Sequence, residues 1–133
     1  MKRGLVVKRI LIVDDAATVR MYHRGILESA GYTVDEALNG IEALEKALET
    51  PFDLLLVDIN MPRMDGYAFL RAVRADPTLC SIPAIMISTE REVSDADHAF
   101  EAGANLFLVK PVRPEVLGRC ARALAGTGRD MAK

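Results

Sequence analysis

The chain has 133 residues, 50% of them hydrophobic and 27% charged, with a formal net charge of -2. That length suits one domain, the hydrophobic content excludes disorder, and the charge leaves no footprint for non-specific nucleic-acid binding. No apolar run reaches membrane-spanning length, and Leu5-Val6-Val7 is too short for a signal-peptide core, so the cytoplasm is the expected location.

Ile10-Leu11-Ile12-Val13 reads as a first buried strand, ended by Asp14-Asp15. From Ala16 to Ala30 the pattern turns helical, with Val19, Tyr22, Ile26, Leu27 and Ala30 on one face and Gly31 as the stop. Gly25 lies inside that helix, where it costs about 1 kcal/mol relative to alanine. Thr33 to Ala37 reads as a short strand, polar enough for a position at or near a sheet edge. Asn39 is placed to cap a second helix, with Glu42 as its reciprocal partner and Ile41, Leu44 and Leu48 as the buried stripe.

Pro51 breaks the chain before Phe52-Asp53-Leu54-Leu55-Leu56-Val57, an apolar run with the signature of a strand buried on both faces. Asp58 closes it. A lone carboxylate has no interior place in such a strand, so it is expected at the carboxyl end, where the crevice of an open α/β sheet receives ligand. A loop from Met61 to Gly66 leads to a third helix with Phe69, Leu70 and Val73 inward, ending at Asp76-Pro77. Pro83 opens a fourth strand, Ala84-Ile85-Met86-Ile87, which finishes at Ser88-Thr89. The fourth helix runs to about Gly103, with Phe100 as its large inward group. Asn105 to Val109 is the fifth strand, ending at Lys110-Pro111. Pro114 suits the first turn of a fifth helix, on which Leu117, Cys120, Ala121 and Leu124 face in. The tail from 126 to 133 is small and polar and reads as frayed, leaving a core of about 8–125 in a single domain over 1–133. Five strands alternating with five helices make a doubly wound parallel α/β sheet with right-handed crossovers.

Four of the five strands end in a residue capable of chemistry: Asp14-Asp15, Asp58, Ser88 and Lys110. In a parallel sheet those ends share one edge, so the residues converge on one crevice. Three carboxylates there repel one another and call for a cation, and oxygen ligands that leave room for water suit Mg²⁺. Metal, lysine and hydroxyl are all electron-poor partners for an anion, which points to a phosphoryl group with Asp58 as the nucleophile.

On these residues the chain resembles the receiver domain of two-component response regulators, of the single-domain CheY type, from about Lys8 to Leu124. The stretch from Asp58 to Gly66 is similar to that family's phosphoacceptor loop, and the acidic pair, Ser88 and Lys110-Pro111 fall where its pattern expects them. The resemblance implies a flavodoxin-like (βα)5 fold with strand order 2-1-3-4-5. It implies that Asp58 takes a phosphoryl group from a sensor histidine kinase or phosphotransfer protein, with no independent substrate turnover. It implies that Asp15, Asp58 and the Asn60 carbonyl bind Mg²⁺ directly and Asp14 through water. It gives Lys110 and Ser88 the phosphoryl oxygens, Phe107 the aromatic switch position, Asn60 and Glu90 the tuning of dephosphorylation, and Lys110-Pro111 a cis peptide. The output is expected to pass to a downstream protein through the fourth helix, fifth strand and fifth helix, with no nucleic acid or membrane contacted directly. Phe107 stands where tyrosine is frequent and Ser88 where threonine is commoner. The fourth helix is acid-rich (Glu92, Asp95, Glu101) where the chemotaxis regulator's motor-docking face carries lysine, which argues against a flagellar-motor target.

Other readings compete. A haloacid-dehalogenase-like phosphatase also uses an aspartyl nucleophile with Mg²⁺, but there the nucleophile ends the first strand and a second aspartate follows two residues later, where this chain has Asn60. A pseudo-receiver would bind partners without phosphorylation, yet every core site residue is present. Singly, Asp14-Asp15 could be a turn, Ser88-Thr89 a helix cap and Phe107 plain core. His23, on the apolar face of the first helix, reads as a partly buried structural histidine, and His98 as a solvated side chain. Cys80 and Cys120 lack metal-ligand spacing and read as reduced structural thiols.

Overall fold

The computed structural model describes residues 5–89 and 93–131. In chain order the elements are β1 (Leu5–Val7), β2 (Arg9–Val13), α1 (Ala17–Ser29), β3 (Thr33–Ala37), α2 (Gly40–Glu49), β4 (Leu54–Asp58), α3 (Gly66–Ala75), β5 (Ala84–Ser88), α4 (Val93–Ala102), β6 (Leu106–Val109), α5 (Pro114–Ala125) and β7 (Arg129–Met131). β2 to β6 form a parallel sheet in the order β3-β2-β4-β5-β6, which is the expected 2-1-3-4-5 of the five core strands. The polar strand β3 lies at one edge, as its composition predicts.

Alternation along the strands builds two cores. Leu11, Val13, Leu55, Val57 and Met86 point to one face, where Ala43 of α2, Phe69 of α3 and Ala99 of α4 cover them. Ile10, Ile12, Leu54, Leu56, Ile85 and Ile87 point to the other, under Leu27 of α1 and Leu117 of α5. Each fully buried Leu or Ile contributes roughly 1.5–3 kcal/mol, so the central strands anchor whatever their ends carry. No helix among the described residues is long and apolar enough to cross a membrane.

The inward faces of the helices differ in part from the expected stripes. Phe69, Leu70 and Val73 are fully buried as expected, but Leu48 is 57% and Phe100 50% exposed, and Tyr22 also faces solvent. Ala43 and Ala47 take the inward positions of α2, and Ala99 and Ala102 those of α4. Ala30, expected on the inward face of α1, is exposed at its C-cap. The reason is distance: an alanine face lets a helix axis sit closer to the sheet, and larger neighbours one position along are turned outward. Asn39 caps α2 by accepting from the Glu42 N–H at 2.9 Å, but the Glu42 carboxylate reaches back to the Leu38 N–H rather than to Asn39.

The tail is the main correction. The stretch expected to fray carries β7, which pairs antiparallel with β1, Leu5 opposite Met131 and Val7 opposite Arg129. The ribbon continues into the body of the fold, with the Lys8 N–H donating to the Gly128 carbonyl at 3.1 Å and the Tyr32 hydroxyl donating to that of Gly126 at 2.5 Å. Those backbone bonds hold a segment whose side chains gave no strand pattern.

Candidate functional site

The parallel strands end together, and the expected side chains meet there. Asp14 follows β2 and is 2% exposed; Asp58 is the last residue of β4 and 7% exposed; Ser88 is the last of β5 and buried; Lys110 follows β6. The Lys110 ammonium donates to Asp14 Oδ2 at 2.9 Å and to Asp58 Oδ1 at 3.2 Å. Asp15 is exposed at the rim, and Asp14, Asp15 and Asp58 each place a carboxylate oxygen within 4.8 Å of the others.

Local structure holds each group. The Asp14 N–H donates to the Ala37 carbonyl at 3.1 Å, tying the end of β2 to β3. Asp14 Oδ1 accepts from the Ala16 N–H at 2.9 Å, which turns the chain into α1. Arg20, in the first turns of α1, donates to the Asp14 carbonyl at 2.8 Å and pairs with Glu36 at 2.7 Å. Asp58 is backed by Gly66: a Cβ there would lie 2.4 Å from the Asp58 carbonyl oxygen and 2.9 Å from Ile59 Cα. Asp65 caps α3 by accepting from the Ala68 N–H at 2.8 Å, so the helix starts directly behind the Asp58 strand end. The Lys110 N–H donates to the Ser88 carbonyl at 2.8 Å, and the Lys110-Pro111 bond is cis, as the resemblance implies.

Electrostatics follow from this crowding. Burial, and then the charge of Asp14, push the Asp58 carboxyl from 3.8 to about 6, against the pull of Lys110. Burial pulls the Lys110 ammonium down, but its hydrogen bond to Asp14 and the charge of Asp58 outweigh that, and its pKa is raised. The lysine therefore stays a cation, while Asp58 holds its proton more tightly than a free aspartate does.

The structure brings Asp14, Asp15, Asp58, Ser88 and Lys110 to one edge and leaves other expected residues further out. Asn60 is exposed just beyond β4. Phe107 is half-buried, opposite Met86 in the sheet and packed against the core face that α4 covers. Ser88 ends β5 and is buried. Glu90 and Glu92 lie outside the described residues. His23 is buried, as read from its helix face, and lines a hollow of about 180 Å³ with Thr18, Lys110 and Pro111. Burial lowers its pKa, partly offset by the charge of Asp14. Sequence reasoning missed Arg20 and Gly66. The signal for Arg20 is a basic residue on the polar side of α1 facing an acidic strand; that for Gly66 is a glycine directly after a helix-capping aspartate.

Residues 10–122 match the family model of the response regulator receiver domain. The chain is 40% identical over 122 residues to chemotaxis protein CheY1 of Helicobacter pylori (strain J99), covering 90% of this chain and 98% of that protein. It is 39% identical over 116 residues to the transcriptional regulatory protein ResD of Bacillus subtilis, covering 87% of this chain but only 47% of that protein. The chain thus spans about half the length of ResD, and 13% of the gliding motility regulatory protein of Myxococcus xanthus, to which it is 34% identical over 102 residues. In structure it resembles chemotaxis protein CheY4 of Vibrio cholerae, with a TM-score of 0.85 at 35% identity, covering 90% of this chain and 99% of that one. The matched stretch takes in every strand end that carries Asp14, Asp58, Ser88 and Lys110, and on that ground the chain belongs to the response regulator receiver domain family.

Proposed function

We propose that the chain is a phosphorylation-driven signalling switch, a single domain in which Asp58 accepts a phosphoryl group from the phosphohistidine of a sensor histidine kinase or phosphotransfer protein. The observation that carries the reading is the Lys110 ammonium within hydrogen-bond reach of both Asp14 and Asp58, beside a third carboxylate. With a pKa of about 6, Asp58 is mostly ionised at neutral pH and able to attack. Its oxygen forms the new bond to phosphorus as the nitrogen–phosphorus bond of the donor breaks, and the freed imidazole takes a proton from solvent. Lys110 then pairs with the acyl phosphate, and the Ser88 hydroxyl hydrogen-bonds a phosphoryl oxygen.

The donor set fits Mg²⁺: hard oxygen ligands only, with two of the carboxylates buried and Asp15 exposed at the rim. Asp15, Asp58 and the Asn60 carbonyl would hold it, with Asp14 acting through water. When bound, the ion relieves the repulsion among the carboxylates and stabilises charge on the transferred group.

The direct test is acetyl phosphate with Mg²⁺, read by intact mass. One phosphoryl group is expected on wild type and none on Asp58→Asn; equal labelling of both would refute the assignment. A Mg²⁺ titration is expected to stabilise wild type by about 1.4 kcal/mol at ten times Kd. Asp15→Ala should lose that gain, and an unchanged response there would move the site elsewhere.

The output side of the reading rests on Ser88 and Lys110 as groups that feel the new charge. They end β5 and β6, so the surface they bias is α4, β6 around Phe107, and α5. A switch moves only by the difference in affinity for its two states. Ser88→Ala is therefore expected to accept phosphate on Asp58 yet lose most of the gain in partner affinity, with the Phe107 ring staying outward by aromatic NMR. Full retention of both responses would place the coupling on Lys110 or another route.

A further inference from the structure

Asp14 is held by its side chain as well as its backbone, whereas the Asp15 side chain is held by nothing. Asp14 Oδ1 accepts from the Ala16 N–H at 2.9 Å and Oδ2 from Lys110 at 2.9 Å. The Asp15 carboxylate, exposed at the rim, has no hydrogen-bond or ion-pair partner among the described residues. Its aim therefore depends on the backbone that carries it.

Arg20 sets that backbone. One terminal nitrogen of its guanidinium donates to the Asp14 carbonyl at 2.8 Å. A peptide unit is planar, so holding that oxygen also holds the Asp15 nitrogen and Cα. The guanidinium is itself anchored: Nε donates to Glu36 Oε1 at 2.7 Å, and the Arg20 side chain is only 13% exposed. Glu36 makes a fixed post, because its other carboxylate oxygen takes Arg24 of α1 and its carbonyl takes Lys46 of α2. The peptide units on both sides of Asp14 are thus tied to β3. The one before it donates directly to the Ala37 carbonyl, and the one after it is held through Arg20 and Glu36.

We propose that Arg20 is a positioning residue for the cation site, aiming the Asp15 carboxylate through the Asp14–Asp15 peptide with Glu36 as its anchor. The inference rests on the reading of Asp15 as a Mg²⁺ ligand and adds to it a residue that touches neither the ion nor a phosphoryl group. Shape matters here as much as charge. Asp14 and Glu36 take two different nitrogens of one rigid plane, which a lysine ammonium on its flexible stem does not reproduce.

A Mg²⁺ titration of the full, unphosphorylated chain, followed by amide NMR shifts, tests it. Arg20→Ala is expected to weaken Mg²⁺ binding about tenfold, the factor that ordering one residue's backbone is worth. Arg20→Lys is expected to recover part of that, to about threefold below wild type. Glu36→Ala should fall between wild type and Arg20→Ala, and the double variant should be no weaker than Arg20→Ala, because the anchor acts only through the arginine. Arg9→Ala removes a second arginine–carboxylate pair on β3, Arg9 with Asp35, and is expected to bind Mg²⁺ as wild type does. In the metal-free chain, ¹⁵N relaxation should show the Asp15 amide loosened in Arg20→Ala and the Asp58 amide unchanged, a contrast that a general loss of stability does not produce. Where Arg20→Ala does not fold, Arg20→Lys carries the same comparison. Wild-type affinity or wild-type Asp15 order in the Arg20 variants would overturn the proposal, as would a Glu36→Ala loss that adds in full to that of Arg20→Ala. Asp15→Ala separates the two readings. If it binds Mg²⁺ as wild type does, the metal assignment fails and the inference with it; a loss there beside wild-type affinity in Arg20→Ala sinks the inference alone.

Discussion

Replacing Asp58 with asparagine is expected to stabilise the metal-free protein by about 3 kcal/mol at pH 7. The carboxyl is 7% exposed, and burial followed by the charge of Asp14 raises its pKa from 3.8 to about 6. A carboxyl that holds its proton more tightly in the folded state contributes stability that is complete below 3.8 and lost as pH rises through 6. Wild type should therefore weaken across that window, and Asp58→Asn should not. Asparagine keeps a carbonyl oxygen for Lys110 and removes the charge that repels Asp14. Urea unfolding in the presence of a chelator, at pH 4 and pH 7, measures the gap directly. The two proteins should nearly coincide at the lower pH and separate at the higher. Equal slopes with pH would mean that Lys110 compensates the carboxylate fully, and the picture of a site under electrostatic stress would fail. The same stress gives the cation its leverage, since what relieves it stabilises the fold.

The second large effect is expected at Gly66. A methyl group there would stand 2.4 Å from the Asp58 carbonyl oxygen, 2.9 Å from Ile59 Cα and 3.0 Å from the end of the Met86 side chain. The Met86 terminus can swing aside, but two of the three obstacles are backbone. Gly66→Ala is expected to cost about 3 kcal/mol, at the upper end of ordinary overpacking. The strain falls on the strand end that aims Asp58, so labelling by acetyl phosphate should slow as well. A melting curve and a labelling time course on one preparation would check both. Loss of stability with an unchanged labelling rate would show that the strand end yields without moving the carboxylate. No change in either would mean that α3 starts with more freedom than its capping by Asp65 suggests.

Legibility in the sequence followed the physics of each element. The central strands were plain because Leu54 to Val57 and Ala84 to Ile87 are buried on both faces and read as unbroken apolar runs. A polar residue closing such a run has one physically acceptable place, and that logic located Asp14, Asp58, Ser88 and Lys110 without coordinates. The helices were harder. On α2 and α4 the eye follows Leu48 and Phe100, while Ala43, Ala47, Ala99 and Ala102 go inward, because small residues set how near a helix can lie to the sheet. Periodicity weighted by size picks the wrong side of such a helix. Arg20 and Gly66 act through backbone groups of other segments, which no local pattern encodes. The pairing of β1 with β7 was illegible for a similar cause. Arg129, Asp130 and Met131 carry no strand signature, and their partners lie at the far end of the chain.

That pairing also bears on connectivity. Leu5 stands opposite Met131 at the amino ends of the core strands, away from the edge that carries Asp58. From Leu5 to Met131 the path of the backbone is thus nearly a closed ring, and the order in which it is traversed is separable from its shape. A few residues joining Met131 to Leu5, with a new opening cut in the exposed turn around Thr78, would leave the strand order, both cores and the carboxylate cluster with the same neighbours.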